Sequence, residues 1–307
     1  MIKKTLKPIL IGTRSSPLAL WQANQVNKKL KQGKIIKIQT TADKFKNINL
    51  SKIGGKSLFT KELDDALLKR EIDIAVHSLK DVPTIISSKI NLAYILPRGS
   101  YSDILISKNN IKKLSDLPPR SNIGTSSPRR FAQIKNLRPD INIIPIRGNI
   151  QTRLKKIKEE NIDAIVLALA GIKRLKIKTN YSTLTLKSPN FLPAAGQGII
   201  AITYLKNNIN IKNILSDLKN YNAYYQAKAE RTVLKKLNGD CHSAIAVNAK
   251  IKNNEMYIKG IVYAANGSSY IKDEIKGNLN DSSTLGHKLG AKLIKLGALK
   301  LLKNEST

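Results

Sequence analysis

Asp81, Cys241 and a set of arginines are the residues whose types and spacing could do chemistry in this chain. Asp81 closes the run Ile72-Asp73-Ile74-Ala75-Val76-His77-Ser78-Leu79-Lys80-Asp81, in which a short apolar strand ends in a polar turn before Val82-Pro83. A carboxylate at the carboxyl end of a buried strand can stabilise a cation or move a proton; its plainer use is to cap a turn. Cys241, the single cysteine, follows Asn238-Gly239-Asp240. An isolated cysteine is commonly a buried, inert thiol, but a polar, Gly-containing loop also suits a thiolate that attacks an electrophile. His242 is adjacent, but neighbours in an extended segment point to opposite faces, so the two do not form a protease-type dyad.

Two Ser-Pro elements, Ser16-Pro17 and Ser127-Pro128, each follow a short apolar run. Each puts a hydroxyl and unpaired N–H groups at a helix N-terminus, where a carboxylate or phosphate is favoured. Arg129 and Arg130 stand in the first turn of the second helix, where a cation opposes the helix dipole and a bound anion would remove the penalty. Arg147 follows another strand and Arg153 lies in the helix after it; Arg174 and Arg14 mark two further strand ends. Guanidinium forks gathered at strand ends call for a ligand with several carboxylates.

The surrounding composition sharpens that inference. The chain carries 54 Lys+Arg against 21 Asp+Glu, a net +33, and of the cations 11 are Arg. The lysines are scattered along the whole length among Ile and Asn, as a compositional background would be, so Arg persists where a planar five-donor fork is needed. Such a field attracts polyanions in general. A nucleic-acid surface is not expected, because there is no dense basic tract and aromatics make up only 5%. One cysteine excludes a disulfide framework, and three isolated histidines (His77, His242, His287) supply no zinc cluster, so no metal is expected. The apolar run at Ile9-Leu10-Ile11 is too short for a signal peptide, and no stretch reaches the ~18 apolar residues of a span. A cytoplasmic protein without a membrane partner is expected. Gly54-Gly55-Lys56-Ser57 imitates the tail of a phosphate-binding loop, but the first glycine of that motif would fall on Leu50, so it reads as a loop hinge.

The elements that must position these residues alternate. Residues 8–12 read as a strand, 17 to about 32 as a helix, 34–40 as a strand, 58–70 as a helix with Leu58, Leu63, Leu67 and Leu68 at helical spacing, and 72–77 as a strand. Strand-helix alternation predicts a parallel sheet. Ile11-Gly12-Thr13-Arg14-Ser15-Ser16-Pro17 is echoed by Ile123-Gly124-Thr125-Ser126-Ser127-Pro128, and Ile72-Asp73-Ile74-Ala75-Val76 by Ile162-Asp163-Ala164-Ile165-Val166. Two similar α/β domains follow, with ligands expected at the carboxyl ends of their strands. From about 218 the rhythm changes to a helix at 222–237, strands near 244–252 and 256–264, an Asn266-Gly267 hairpin turn, a third strand, and a last helix over 283–302. The predicted division is 1–99 plus about 200–217, then 100–199, then a smaller α+β domain over 218–307 that carries Cys241.

Over nearly its whole length the sequence resembles the hydroxymethylbilane synthase (porphobilinogen deaminase) family. The matching segments are Gly12-Thr13-Arg14, Ser16-Pro17-Leu18-Ala19, Gly54-Gly55-Lys56, Asp73 through Pro83, Gly124-Thr125-Ser126-Ser127, Arg129-Arg130, Arg147-Gly148-Asn149, Thr152-Arg153-Leu154, Leu192-Pro193-Ala194, Gly196-Gln197-Gly198 and Ala229-Glu230-Arg231 leading to Cys241. The resemblance implies two periplasmic-binding-protein-like α/β domains around a cleft, plus a third, smaller domain. It implies a monomeric enzyme that joins four porphobilinogen molecules head to tail with loss of ammonia, then releases hydroxymethylbilane to water. The primer would be a dipyrromethane cofactor bound through a thioether to Cys241. By position, Asp81 would be the catalytic carboxylate. Lys80, Asp81, Ser127, Arg129, Arg130 and Arg153 would contact the cofactor, and Arg14, Ser16, Gln22, Ser78, Arg147 and Arg174 the substrate. The chain departs from the family in Gly239-Asp240-Cys241, where Gly-Gly-Cys is usual, and in Ala42-Asp43, where Gly-Asp is usual. Asp240 is expected to restrict the loop.

Overall fold

The computed structural model describes residues 7–41, 60–240 and 242–303. Cys241 and the stretch holding Ala42-Asp43 and Gly54-Gly55-Lys56-Ser57 lie outside them. In chain order the elements are β1 (Ile9–Arg14), α1 (Pro17–Leu30), β2 (Gly33–Ile38), α2 (Lys61–Leu68), β3 (Ile74–Ser78), β4 (Ile90–Ala93), β5 (Asp103–Ser107), β6 (Asn122–Gly124), α3 (Pro128–Leu137), β7 (Asn142–Ile144), α4 (Ile150–Glu159), β8 (Ala164–Ala168), α5 (Leu169–Arg174), β9 (Ser182–Leu186), β10 (Ile200–Leu205), α6 (Ile209–Asp217), α7 (Tyr221–Lys236), β11 (Ile245–Lys252), β12 (Glu255–Tyr263), β13 (Tyr270–Asn278), α8 (Ser282–Lys295) and α9 (Ala298–Lys303). Packing divides the chain into two units, one of residues 1–82, 86–97 and 200–224, the other of 83–85, 98–199 and 225–307.

The first unit is built on a five-stranded sheet of order β2-β1-β3-β10-β4. Ile9 and Ile11 of β1 face α1, packing with Ala23, Val26 and Leu30, and Leu10 faces the other side, toward Leu63 and Leu67 of α2. The period-two alternation of a strand thereby buries both faces of the sheet. Gly12 is required on the α2 side, since a Cβ there would lie 2.3 Å from Cδ1 of Ile72.

The second unit contains a five-stranded sheet of order β7-β6-β8-β5-β9 and a three-stranded antiparallel sheet of order β11-β12-β13. The five-stranded sheet has the topology of the first unit's, which is what the repeated Ile-Gly-Thr segment and its downstream partner encode: they are β1 and β6, β3 and β8. Gly124 repeats the packing role of Gly12, with a Cβ there coming within 2.9 Å of Ile146. Beneath the three-stranded sheet, Val247, Ile258 and Val262 pack on Val233 of α7 and on Leu289 and Leu293 of α8.

Two expectations are corrected. Neither large sheet is wholly parallel: β10 runs antiparallel between β3 and β4, and β5 antiparallel between β8 and β9. Each of these strands is reached by a connection from the other sheet, so no local pattern announces its direction. The expected last helix over 283–302 is two helices, because Gly297 takes φ +101°, a left-handed conformation, between Lys295 and Ala298.

Candidate active site

In the first unit, Arg14 is the last residue of β1. Ser16 then caps α1, its Oγ accepting from the Ala19 N–H at 3.3 Å, with Pro17 in the first turn. Gln22, buried on the same helix, donates from Nε2 to Oγ of Ser78 at 2.8 Å, so two of the predicted substrate residues meet at the end of β3. Beyond Ser78 the chain makes a 3-10 turn, Leu79–Asp81, closed by Val82 N–H donating to the Leu79 carbonyl at 3.1 Å. Leu79 and Val82 are buried while Lys80 and Asp81 stay half-exposed. The apolar pair anchors the turn from which Lys80 and Asp81 project.

His77, one residue before Ser78, is 5% exposed and pairs through Nε2 with Oγ1 of Thr203 at 2.9 Å. Burial, and then the Arg14 charge, lower its pKa to about 4, so it is neutral at pH 7. The unfolded chain takes the proton first, near 6.5, so the stability of the neutral form is complete above that pH and is lost as pH falls toward about 4. Between pH 7 and pH 5 a His77→Gln chain should lose about 2 kcal/mol less unfolding free energy than the parent. Urea titrations at the two pH values check this, and equal losses would show that His77 is not buried neutral.

The second unit holds a charged cluster that the sequence reading did not contain. Asp103 opens β5 and pairs in register with Ala168 at the carboxyl end of β8, so the antiparallel strand delivers its first residue to the ligand edge. Its carboxylate is 1% exposed. Oδ2 accepts from Nη2 of Arg129 at 2.8 Å, and Oδ1 from Nη2 and Nε of Arg130 at 2.7 and 3.2 Å and from Nε2 of Gln197 at 3.0 Å. Burial pushes the carboxyl up, but the two guanidinium charges and these hydrogen bonds prevail and hold it well below the usual carboxylate range. Arg129 also donates to the Leu192 carbonyl at 2.7 Å, and Arg130 to that of Val166 at 3.0 Å. The anion required by two arginines in the first turn of α3 is therefore supplied by the chain itself. Nε–H of Arg129 is buried with no acceptor among the described residues.

The remaining predicted residues lie on the loops of the same sheet. Ser127 is the N-cap of α3, but its hydroxyl makes no capping bond. Arg147 follows β7 and is half-buried, and Arg153 on α4 donates from Nε to the Gly148 carbonyl at 2.8 Å. Arg174, at the end of α5, donates from Nη2 to the Gly198 carbonyl at 2.6 Å. Burial lowers its pKa to about 10, which leaves it charged at neutral pH.

Beside Cys241 in the chain, Oδ1 of Asp240 accepts from the His242 N–H at 2.9 Å and from Oγ of Ser243 at 3.3 Å. Glu230, given no role from sequence beyond its place in a motif, is buried. It accepts from Arg98 Nη1 and from the N–H groups of Gly196 and Ala249, each at 2.6 Å. The signal available for Asp103 was an acid opening an apolar strand in a chain poor in acids.

A family model described as porphobilinogen deaminase, dipyromethane cofactor binding domain, matches residues 9–213, and one for the porphobilinogen deaminase C-terminal domain matches residues 224–295. Porphobilinogen deaminase of Campylobacter concisus is 42% identical over 305 residues, covering 97% of this chain and 98% of its own. That of Natranaerobius thermophilus is 41% identical over 303 residues, covering 95% and 97%. Among solved structures, the probable amino-acid ABC transporter extracellular-binding protein YtmK of Bacillus subtilis aligns at TM-score 0.44 and 11% identity, covering 69% of this chain and 91% of that one.

Proposed function

Since the chain belongs to the porphobilinogen deaminase family, and with it has that family's transferase activity and dipyrromethane cofactor, we propose how its own residues divide the work. Asp81 is the catalytic carboxylate: it assists departure of the amino group of porphobilinogen as ammonia and stabilises the positive charge that develops on the pyrrole nitrogen. Arg14, Ser16, Gln22, Ser78, Arg147 and Arg174 bind the acetate and propionate groups of the incoming substrate and the growing chain. Lys80, Ser127, Arg129, Arg130 and Arg153 bind the carboxylates of the cofactor, which is attached to Cys241. When bound, the cofactor supplies the pyrrole end on which four substrate units are assembled before hydrolysis frees hydroxymethylbilane.

The donor set fits such a group. Nε–H of Arg129 is a buried donor with no acceptor among the described residues, and the Ser127 hydroxyl is not spent on capping. Asp103 compensates part of the Arg129 and Arg130 charge without taking every N–H, so a carboxylate can be received without leaving the guanidiniums unpaired before it arrives. The observation that carries the assignment of Asp81 is its turn, in which buried Leu79 and Val82 fix a half-exposed Lys80-Asp81 pair at the carboxyl end of β3. The reading includes three domains, 1–99 with about 200–217, 100–199 and 218–307, and a monomer in the cytoplasm, in keeping with a single cysteine. Among the described residues no helix is long and apolar enough to cross a membrane.

Intact-protein mass spectrometry tests the cofactor assignment. The purified chain should weigh its sequence plus two pyrrole units, and fragmentation should put the addition on Cys241. A bare mass that persists after incubation with porphobilinogen would overturn it.

A further inference from the structure

The stem of the loop that carries Cys241 is held by a segment far away in sequence. One nitrogen of Arg231, Nη2, donates to two successive carbonyls, Pro83 at 2.7 Å and Thr84 at 3.0 Å. Thr84 in turn donates from Oγ1 to the carbonyl of Gly239 at 2.8 Å. Gly239 is fixed from its other side as well: its N–H donates to the Leu234 carbonyl at 2.9 Å, and a Cβ in its place would lie 2.3 Å from Cδ1 of Ile245. Asn238, just before it, takes φ +52° where the chain leaves α7.

The chemistry of this contact is specific. The last carbonyls of a helix and of the turn after it lack intrahelical donors, and Thr84 Oγ1 supplies one at Gly239. Pro83 offers no N–H and a fixed φ, so the segment is grasped through its carbonyls, and a guanidinium nitrogen with two protons can hold both. The Thr84 bond sets the plane of the Gly239–Asp240 peptide, from which the chain proceeds to Cys241 in one more residue.

We propose that Thr84 and Arg231 are positioning residues for cofactor attachment: they brace the Gly239–Asp240 peptide so that the Cys241 thiol is presented correctly when the primer is first loaded. The proposal rests on the reading of Cys241 as the attachment residue. Neither residue acts as a catalyst: Thr84 acts through the Gly239 carbonyl, and Arg231 acts by holding the Pro83 and Thr84 carbonyls. Next to the brace, Asp240 Oδ1 accepts from His242 N–H and Ser243 Oγ.

The test uses the full chain freed of primer, mixed with porphobilinogen and followed by intact mass. Thr84→Val keeps the shape and removes the hydroxyl. It should slow the gain of two pyrrole units about tenfold, the most that one neutral hydrogen bond supplies, while Thr84→Ser restores the parent rate. Arg231→Met, which keeps an unbranched stem and removes the donor to both carbonyls, should slow it as well. Alkylation of the primer-free chain by iodoacetamide reads thiol reactivity alone and should be unchanged in all three. If the parent gains no mass, the attachment reading fails and this proposal with it. If the parent loads and Thr84→Val matches it, or if alkylation slows as much as loading, the brace alone is overturned.

Discussion

Asp103→Asn should lower the unfolding free energy by about 3–5 kcal/mol at pH 7, the cost of breaking a buried ion pair from one side. The amide keeps the shape of the side chain but not its charge, and it leaves Arg129 and Arg130, 4% and 5% exposed, facing each other across a neutral group. Weakening the three hydrogen bonds from Arg129 and Arg130 is part of this; most of the effect is the uncompensated burial of guanidinium. The dependence on pH follows from the depressed pKa of Asp103. Its contribution is fully present above the ordinary carboxylate value of about 4 and is lost as pH falls toward the lower folded value. Urea unfolding at pH 7 should therefore separate parent and variant widely, and at pH 3 the gap should have begun to narrow. Equal midpoints at pH 7 would mean that the triad does not hold in solution.

The triad also revises what the arginines are for. Against a lysine background, retained arginines at strand ends point to a carboxylated ligand, and several do lie on the predicted loops. Yet their forks are also spent on the chain's own carbonyls: Arg98 on Gln197 and Ala249, Arg129 on Leu192, Arg130 on Val166, Arg153 on Gly148, Arg174 on Gly198, Arg231 on Pro83 and Thr84. A lysine ammonium cannot reach two carbonyls and a carboxylate in one plane. Composition alone does not separate an arginine kept to fasten a loop from one kept to bind a ligand, because both uses need the same fork. The acids that share these forks, Asp103 with Arg129 and Arg130 and Glu230 with Arg98, are partners distant in sequence.

The local signals were read more securely than the distant ones. Gly12 and Gly124 marked a repeated strand because each sits where no Cβ fits, and the Ser16-Pro17 start of α1 is the capped helix that its sequence spells. The Lys80-Asp81 turn was visible because an apolar strand stops abruptly there. What escaped was non-local: the antiparallel direction of β5 and β10, and with it the arrival of Asp103 beside Arg129 and Arg130. The break at Gly297 was missed for a different reason, since a leucine pattern that continues across a glycine hides a left-handed residue until the backbone is seen.

Asp81→Asn should lower kcat by about 10²–10⁴-fold, the range for removing a positioned acid or base, with a much smaller change in KM. The substitution is nearly isosteric, and the turn is held by Leu79 and Val82 rather than by the carboxylate, so the fold and the Gln22–Ser78 bond should survive. What disappears is a charge able to stabilise positive charge on the pyrrole and a group able to handle the proton as ammonia departs. Asp81→Glu retains both but moves them by a methylene, so it should recover part of the rate if chemistry, not packing, is at stake. Steady-state rates for ammonia release, measured beside thermal midpoints for all three chains, decide the matter. A kcat for Asp81→Asn within tenfold of the parent, at an unchanged midpoint, would place the catalytic carboxylate elsewhere. A midpoint lowered in step with the rate would instead make Asp81 a turn cap, the plainer use of an aspartate at that position.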